Sequence, residues 1–253
     1  MEKTDKIRLD VYLVDSALCS SRALAKRLIL DSSVTVNGKI ILKPAFEVSE
    51  SDEVKLLEND LLKYVGRGAL KLEYALDEFS VSPEGMRAID IGASTGGFTD
   101  VLLKRGAKTV YAVENGQNQL HETLKRDERV VSLENTDARF LSHDIVPVCD
   151  IVVMDVSFVS QTQFYKTVHD FLVPNGIFIT LIKPQFEAGR EYLNKKGIVK
   201  DEKIRAKVVD KILAEAEKWG FSLCGVCQSP IEGGDGNVEY LAMFRNEKKE
   251  NIP

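Results

Sequence analysis

The 253-residue chain has no stretch approaching the roughly 18 to 20 uninterrupted apolar residues of a membrane-spanning helix. It also lacks the strongly amphipathic insertion helix or alternating barrel pattern of a membrane-active protein. The charged start, Met1 to Asp10, has no apolar signal core, so a cytoplasmic protein is expected. Cysteine is scarce: only Cys19, Cys149, Cys224 and Cys227 are present. The last two lie in an apolar run with no second ligand pair, and read as packing thiols rather than a metal or redox site. An excess of positive charge is missing too. With 34 Lys and Arg against 39 Asp and Glu, the net charge is -5, which excludes a globally cationic nucleic-acid coat and leaves any RNA partner to a local basic patch.

What is present suits a soluble α/β domain with a small appendage: 44% of residues are hydrophobic and 29% charged. The most informative segment, Arg87 to Asp100, moves from a short buried-strand pattern through a glycine-rich turn into a helix. Glycines let backbone approach a bulky ligand, and the following helix starts with unsatisfied N–H groups. The turn does not end in Gly-Lys-Ser/Thr, which argues against a phosphate-loop NTPase, and its spacing is not the Gly-x-Gly-x-x-Gly of dinucleotide enzymes. What remains is the acidic-residue-then-glycine turn of S-adenosylmethionine (SAM) methyltransferases. Asp90 would then sit near the methionine end, with Gly92, Ala93, Ser94, Thr95, Gly96, Gly97 and Phe98 wrapping the ligand.

Strand-like runs follow at 110–113, 130–133, 151–154, 177–182, 222–226 and 240–244, with helical patterns between several of them; the clearest helix spans 201–219. This alternation predicts a Rossmann-like, doubly wound, mostly parallel sheet with its ligand at the carboxyl ends of the strands. Polar residues fall at those ends. Glu114 can bind both hydroxyls of a ribose. Asp137 either faces an adenine amine or caps its loop. Asp155, Lys183 and Glu239 also sit at apolar strand ends. Lys71 falls near the start of a helix whose apolar positions are Leu72, Tyr74, Ala75, Leu76 and Phe79.

The first 60 residues form a separate α+β unit. Val11, Leu13, Val14 and Leu18 form one apolar-periodic run, and a second helix begins after Ser20 or Ser21. Val34 to Ile40 reads as two strands around an Asn-Gly hairpin turn, and Asp52 to Leu56 as a further strand. Arg8-Leu9-Asp10, Ser21-Arg22, and Val34 to Gly38 with Lys43-Pro44 resemble the alpha-L RNA-binding domain named after small-subunit ribosomal protein four. The resemblance implies phosphate contacts from Arg8, Arg22, Lys26, Arg27 and Lys39, weakened by the neighbouring Asp31, Glu47, Glu50, Asp52 and Glu53. Glu58-Asn59-Asp60 marks a polar break.

Across almost its full length the chain resembles the TlyA (hemolysin A) family, which couples that RNA-binding domain to an FtsJ/RrmJ-type methyltransferase domain. The matching stretches are Arg67-Gly68 through Lys71-Leu72, Asp90 through Asp100, Asp155 through Phe158, Ile182 through Arg190, and Ser229-Pro230-Ile231 through Glu239-Tyr240-Leu241. The resemblance implies an RNA-binding domain over 1–60, a linker and leading helix carrying Lys71 over 61–86, and a SAM-dependent methyltransferase domain over 87–247. It further implies a Lys71, Asp155, Lys183 and Glu239 tetrad, with Asp155 also near the cofactor, and ribose 2′-O-methylation of ribosomal RNA, on cytidines, in free RNA or in ribosomal subunits. In that scheme Lys183 is the base, Lys71 and Asp155 steer the hydroxyl, and Glu239 orients the lysines. Gly66 and Ala69 stand where the family usually has Ser and Gly, and Glu114-Asn115 where it has Asp-Val. The competing readings are a noncatalytic RNA-binding or ribosome-assembly protein, against which the complete tetrad stands, a membrane-active hemolysin, for which the sequence offers no insertion element, and a methyltransferase acting on protein or a small molecule, against which the N-terminal unit favours RNA.

Overall fold

The computed structural model describes residues 6–19, 21–30, 32–57, 63–233 and 236–247. Ser20, Asp31 and the break at Glu58 to Asp60 lie outside them. The chain divides into two compact units between Tyr64 and Val65, so residues 65–86 of the expected linker and leading helix belong to the larger unit.

In the smaller unit β1 (Ile7–Arg8) leads into α1 (Leu9–Asp15), followed by α2 (Arg22–Leu30), β2 (Val34–Val36), β3 (Lys39–Ile40), β4 (Glu47–Val48) and β5 (Val54–Leu56). Ser21 caps α2 by accepting the Leu24 N–H at 3.2 Å. Asn37 and Gly38 both have positive φ, 51° and 75°, which makes the primed turn that matches strand twist between β2 and β3. The Asn37 side chain then ties the turn to the strand beyond it, donating to Asp52 at 2.7 Å and accepting from the Glu53 N–H at 2.9 Å. The apolar run expected to reach Leu18 stops earlier. Ala17 takes a left-handed φ of 54° just after α1, and Leu18 is exposed.

The smaller unit is organised around Asp10, whose side chain is fully buried. It accepts two bonds from the Arg8 guanidinium, at 2.9 and 3.1 Å, and one from Arg22 at 3.0 Å. These cations, Arg8 foremost, hold the Asp10 carboxyl down to about 2. Two of the five cations expected to face RNA are thus aimed by a carboxylate beneath them, while Lys26 and Lys39 are exposed and Arg27 is half-buried.

The larger unit runs α3 (Ala69–Glu78), β6 (Arg87–Ile91), α4 (Gly97–Lys104), β7 (Thr109–Val113), α5 (Glu122–Lys125), β8 (Val130–Leu133), β9 (Cys149–Met154), α6 (Tyr165–Phe171), β10 (Leu172–Ile182), α7 (Pro184–Glu187), α8 (Glu202–Lys218), β11 (Phe221–Gln228) and β12 (Tyr240–Asn246). Its seven strands lie in the order β11-β12-β10-β9-β6-β7-β8. All pairings are parallel except those of β12, which runs antiparallel to β10 and β11. Asp201 caps α8 through the Lys203 N–H, and Gly220 with φ of 76° follows the helix. One face of the sheet packs Tyr165, Phe178, Phe221 and Phe244 into a buried aromatic cluster. The packing role expected of both late cysteines holds only in part. β11 is an edge strand, so Cys224 is exposed while Cys227 is half-buried.

The Asp10 clamp gives a pH signature. An unfolded aspartate ionises near about pH 4, whereas folded Asp10 holds its charge down to about 2. Its contribution is therefore full above about pH 4 and is lost as pH falls toward 2. Asp10→Asn should speed hydrogen exchange of the α1 and α2 amides at neutral pH and remove most of the acid-side loss seen in the unaltered chain. Equal exchange in the two proteins would show that the clamp carries no stability.

Candidate active site

The strands of the larger unit depart in opposite directions from the junction of β6 and β9, and their carboxyl ends open a crevice there. The glycine turn forms its floor. Gly92 has φ of 83°, and a Cβ there would lie 2.6 Å from the Asp155 carbonyl oxygen, so only glycine lets the ends of β6 and β9 approach this closely. Ser94 and Gly96 are also left-handed, at 49° and 96°. A Cβ on Gly97, which opens α4, would stand 3.0 Å from the Ala69 nitrogen, and one on Gly66 would stand 2.7 Å from the Thr95 hydroxyl. The Gly66-Arg67-Gly68 turn therefore packs on the glycine turn, and the small residue at 66 leaves room for Thr95.

Two adjoining cavities result. The larger, about 590 Å³, is walled by Glu114, Asp137, Arg139, Val156 and Phe158 among others. The smaller, about 240 Å³, is walled by Gly66 to Gly68, Ala93, Thr95, Gly97, Phe98 and Lys183. Gly92, Ser94, Asp155 and Ser157 line both. Together they span the size range of small-molecule sites, with one roomy lobe and a narrower one walled by Lys183.

Glu114 is fixed at the end of β7 by two backbone donors, the Ser94 N–H at 2.9 Å and the Gly116 N–H at 2.7 Å, with lone pairs left for a diol. Asp137 takes the capping role, accepting the Arg139 N–H at the turn Ala138–Phe140, and also lines the larger cavity. Its bonds to the Arg139 side chain hold the carboxyl below the usual range. Asp90 and Gly96 stand off the cavity walls. Asp90 is fully buried, accepts the Thr99 hydroxyl at 2.7 Å through Oδ2, and leaves Oδ1 without a partner. Burial pushes its carboxyl up to about 7. Gly96 faces Leu120 and Leu124, which a Cβ would strike.

The four residues of the proposed tetrad form two ion pairs. Lys71 Nζ lies 2.5 Å from Glu239 Oε2, with side chains 7% and 2% exposed, and Gln185 donates to Glu239 Oε1 at 2.9 Å. Lys183 Nζ lies 2.5 Å from Asp155 Oδ1 and donates to Ser157 Oγ at 2.7 Å. Of the two lysines it is expected to orient, Glu239 is paired with Lys71; Lys183 is held by Asp155 and Ser157 instead. Ser157, Phe158, Gln185 and Thr99 all fall inside the matching stretches, but nothing in the sequence sets any of them apart from its neighbours. Phe158 is 90% exposed with φ of 64°, at the mouth of the larger cavity, and its ring centroid is 5.0 Å from that of Phe186. Among the described residues, no cluster of His, Cys, Asp or Glu is arranged to hold a metal ion, and no helix is long and apolar enough to cross a membrane.

The chain is similar to known proteins along most of its length. Residues 64–246 match the FtsJ-like methyltransferase family and residues 7–54 the S4 domain. Hemolysin A of Brachyspira hyodysenteriae is 41% identical over 242 residues, covering 94% of this chain and 99% of its own. The 16S/23S rRNA (cytidine-2'-O)-methyltransferase TlyA of Mycobacterium tuberculosis is 38% identical over 243 residues, covering 96% and 91%. A solved structure described as a hemolysin from Streptococcus thermophilus matches with a TM-score of 0.76 at 42% identity, covering 97% of this chain and 90% of that one.

Two outcomes follow from this geometry. Gly92→Ala would force a Cβ against the Asp155 backbone, and SAM affinity measured by calorimetry should fall at least about tenfold; retained affinity would remove the turn from the ligand site. Asp90 holds its proton to about 7 in the folded chain, against near 4 unfolded. Its burial therefore weighs increasingly against the folded state as pH rises from about 4 to 7. Asp90→Asn should flatten the fall of melting temperature across that window, and an unchanged slope would show that the carboxyl ionises normally.

Proposed function

The chain belongs to the FtsJ-like methyltransferase family, and we propose that it methylates the ribose 2′-oxygen of a ribosomal RNA nucleotide, a cytidine, using SAM. The observation that carries this reading is the convergence of the Lys71–Glu239 and Lys183–Asp155 pairs beside a glycine-walled cavity. The named activity of the mycobacterial relative supports the RNA ribose as acceptor.

The residues present fit SAM. Gly92 leaves the close approach a bulky ligand needs, Glu114 offers fixed acceptors to a ribose diol, and the narrow lobe leads to Lys183. Bound there, SAM supplies an electrophilic methyl group. The chain's own task is to aim a poor nucleophile and remove its proton. In this reading Lys183 takes the 2′-hydroxyl proton, and Asp155 and Ser157 hold its side chain in place. Lys71 steers the hydroxyl and offsets charge developing on its oxygen, while Glu239 and Gln185 fix Lys71 from behind. The exposed Phe158 ring at the cavity mouth offers a stacking face to a base turned out of its helix. Residues 1–60, through Arg8, Arg22, Lys26, Arg27 and Lys39, hold structured RNA; 61–86 deliver Lys71; and 87–247 carry the transfer.

The test is transfer of a labelled methyl group from SAM to separated ribosomal subunits, with nucleoside analysis of the product. Lys183→Ala should reduce transfer by about 10²- to 10⁴-fold while SAM binding stays within a few-fold of normal. Full transfer by that variant would remove Lys183 as the base. Measurable SAM binding without any transfer by the unaltered chain would favour a noncatalytic RNA-binding assembly protein.

A further inference from the structure

Residues 189–200 form a surface loop of the larger unit that the reaction above leaves unused. Arg190, Lys195, Lys196 and Lys200 are all exposed, and none has a carboxylate within ion-pair distance among the described residues. Glu191 is the one acid among residues 189–200. In a chain of net charge -5, these four unpaired cations are a local inversion of sign. Tyr192 stands among them, 48% exposed.

The loop is held in shape rather than loosely tethered. Asn194 Oδ1 accepts the N–H groups of Lys196 and Ile198, at 2.8 and 3.0 Å. Asn237, only 3% exposed, accepts the Val199 N–H at 3.2 Å and donates to the Gly197 carbonyl at 3.1 Å. The Arg205 guanidinium donates to the carbonyls of Val199 and Lys200. Because Asn237 lies two residues before Glu239, the loop is fixed to the segment that supplies the carboxylate of the Lys71 pair. Cations carried on a loop fixed to that segment hold a polyanion in a set position relative to it, which cations on a loose loop do not.

We infer that this loop is a second RNA-binding surface, in which Arg190, Lys195, Lys196 and Lys200 take the phosphates flanking the target nucleotide and Tyr192 stacks on an unpaired base. The inference rests on the reading of the chain as an RNA methyltransferase, and adds a clamp within the catalytic unit to the basic helix of the smaller one. Phosphate contacts release counterions and give affinity that falls with salt, whereas stacking does not.

The full chain carrying Lys195→Gln, Lys196→Gln and Lys200→Gln is compared with the unaltered protein for binding to a structured ribosomal RNA fragment over a salt series, with SAM affinity measured alongside. The triple variant should lose roughly tenfold or more in RNA affinity at low salt, and its log–log salt slope should be shallower by about 2, since each phosphate left unneutralised removes roughly 0.7–0.9. SAM affinity should be unchanged. Tyr192→Ala should weaken binding a few-fold with the slope intact. Equal affinity and slope in the triple and unaltered proteins would overturn the inference. So would a loss confined to phosphatidylglycerol vesicles, which would assign the loop to an anionic membrane surface. A shallower slope in a protein that transfers no methyl group would support the RNA surface and defeat only the proposed reaction.

Discussion

A buried pair of opposite charges, Lys71 with Glu239, joins the first helix of the larger unit to the lead-in of its last strand, 168 residues away. Taking both groups out of water is tolerable only while each is held by the other, because removing one leaves a stranded charge. Gln185 takes the second oxygen of Glu239, so the carboxylate is satisfied on both sides. This pair explains why one strand must oppose the others. Glu239 precedes β12, and only because β12 runs antiparallel to β10 does its beginning fall on the edge where Lys183 ends β10. In an all-parallel sheet the residue before a strand would lie at the opposite edge, far from Lys183.

The same edge needs close approach of backbone, and glycine supplies it at two positions where a Cβ would meet backbone atoms. Gly92 lets β6 meet the Asp155 carbonyl, and Gly97 lets α4 begin against the Ala69 nitrogen. The charged pairs and the glycine turn are therefore parts of one construction. α3 brings Lys71 in from one side, the turn brings the ligand cavity in from the other, and Asp155 belongs to both as cavity wall and lysine partner.

Much of this was legible in the chain itself. The Asn37-Gly38 turn, the alternation of strands and helices, and the charged residues at strand ends follow from local rules of backbone preference and apolar period. What sequence could not show is which charge meets which. Arg8 and Arg22 are two cations of a basic unit until the fold buries Asp10 beneath them. Glu239 is a candidate partner for either lysine until β12 places it against Lys71. Asp90 belongs to a ligand-binding pattern, yet the end of β6 is so enclosed that its carboxyl supports α4 through Thr99 instead of facing the cavity. Leu18 fits an apolar period, but Ala17 turns the chain before the period can continue. Each difference is a matter of tertiary pairing or chain direction, which periodicity does not encode.

The distribution of partners separates two uses of positive charge. Lys71 and Lys183 are buried and matched by carboxylates, which fixes their positions, as the proposed reaction requires. Arg190, Lys195, Lys196 and Lys200 are exposed and unmatched, which leaves them free to exchange water and counterions for a ligand's phosphates. The Arg8 and Arg22 pair is intermediate: their guanidiniums are half-exposed, yet Asp10 below sets their direction. An acidic chain can thus serve a polyanionic substrate without a cationic surface overall. Its carboxylates fix some cations in place, and four exposed cations with no carboxylate partner among the described residues lie on one loop anchored through Asn237.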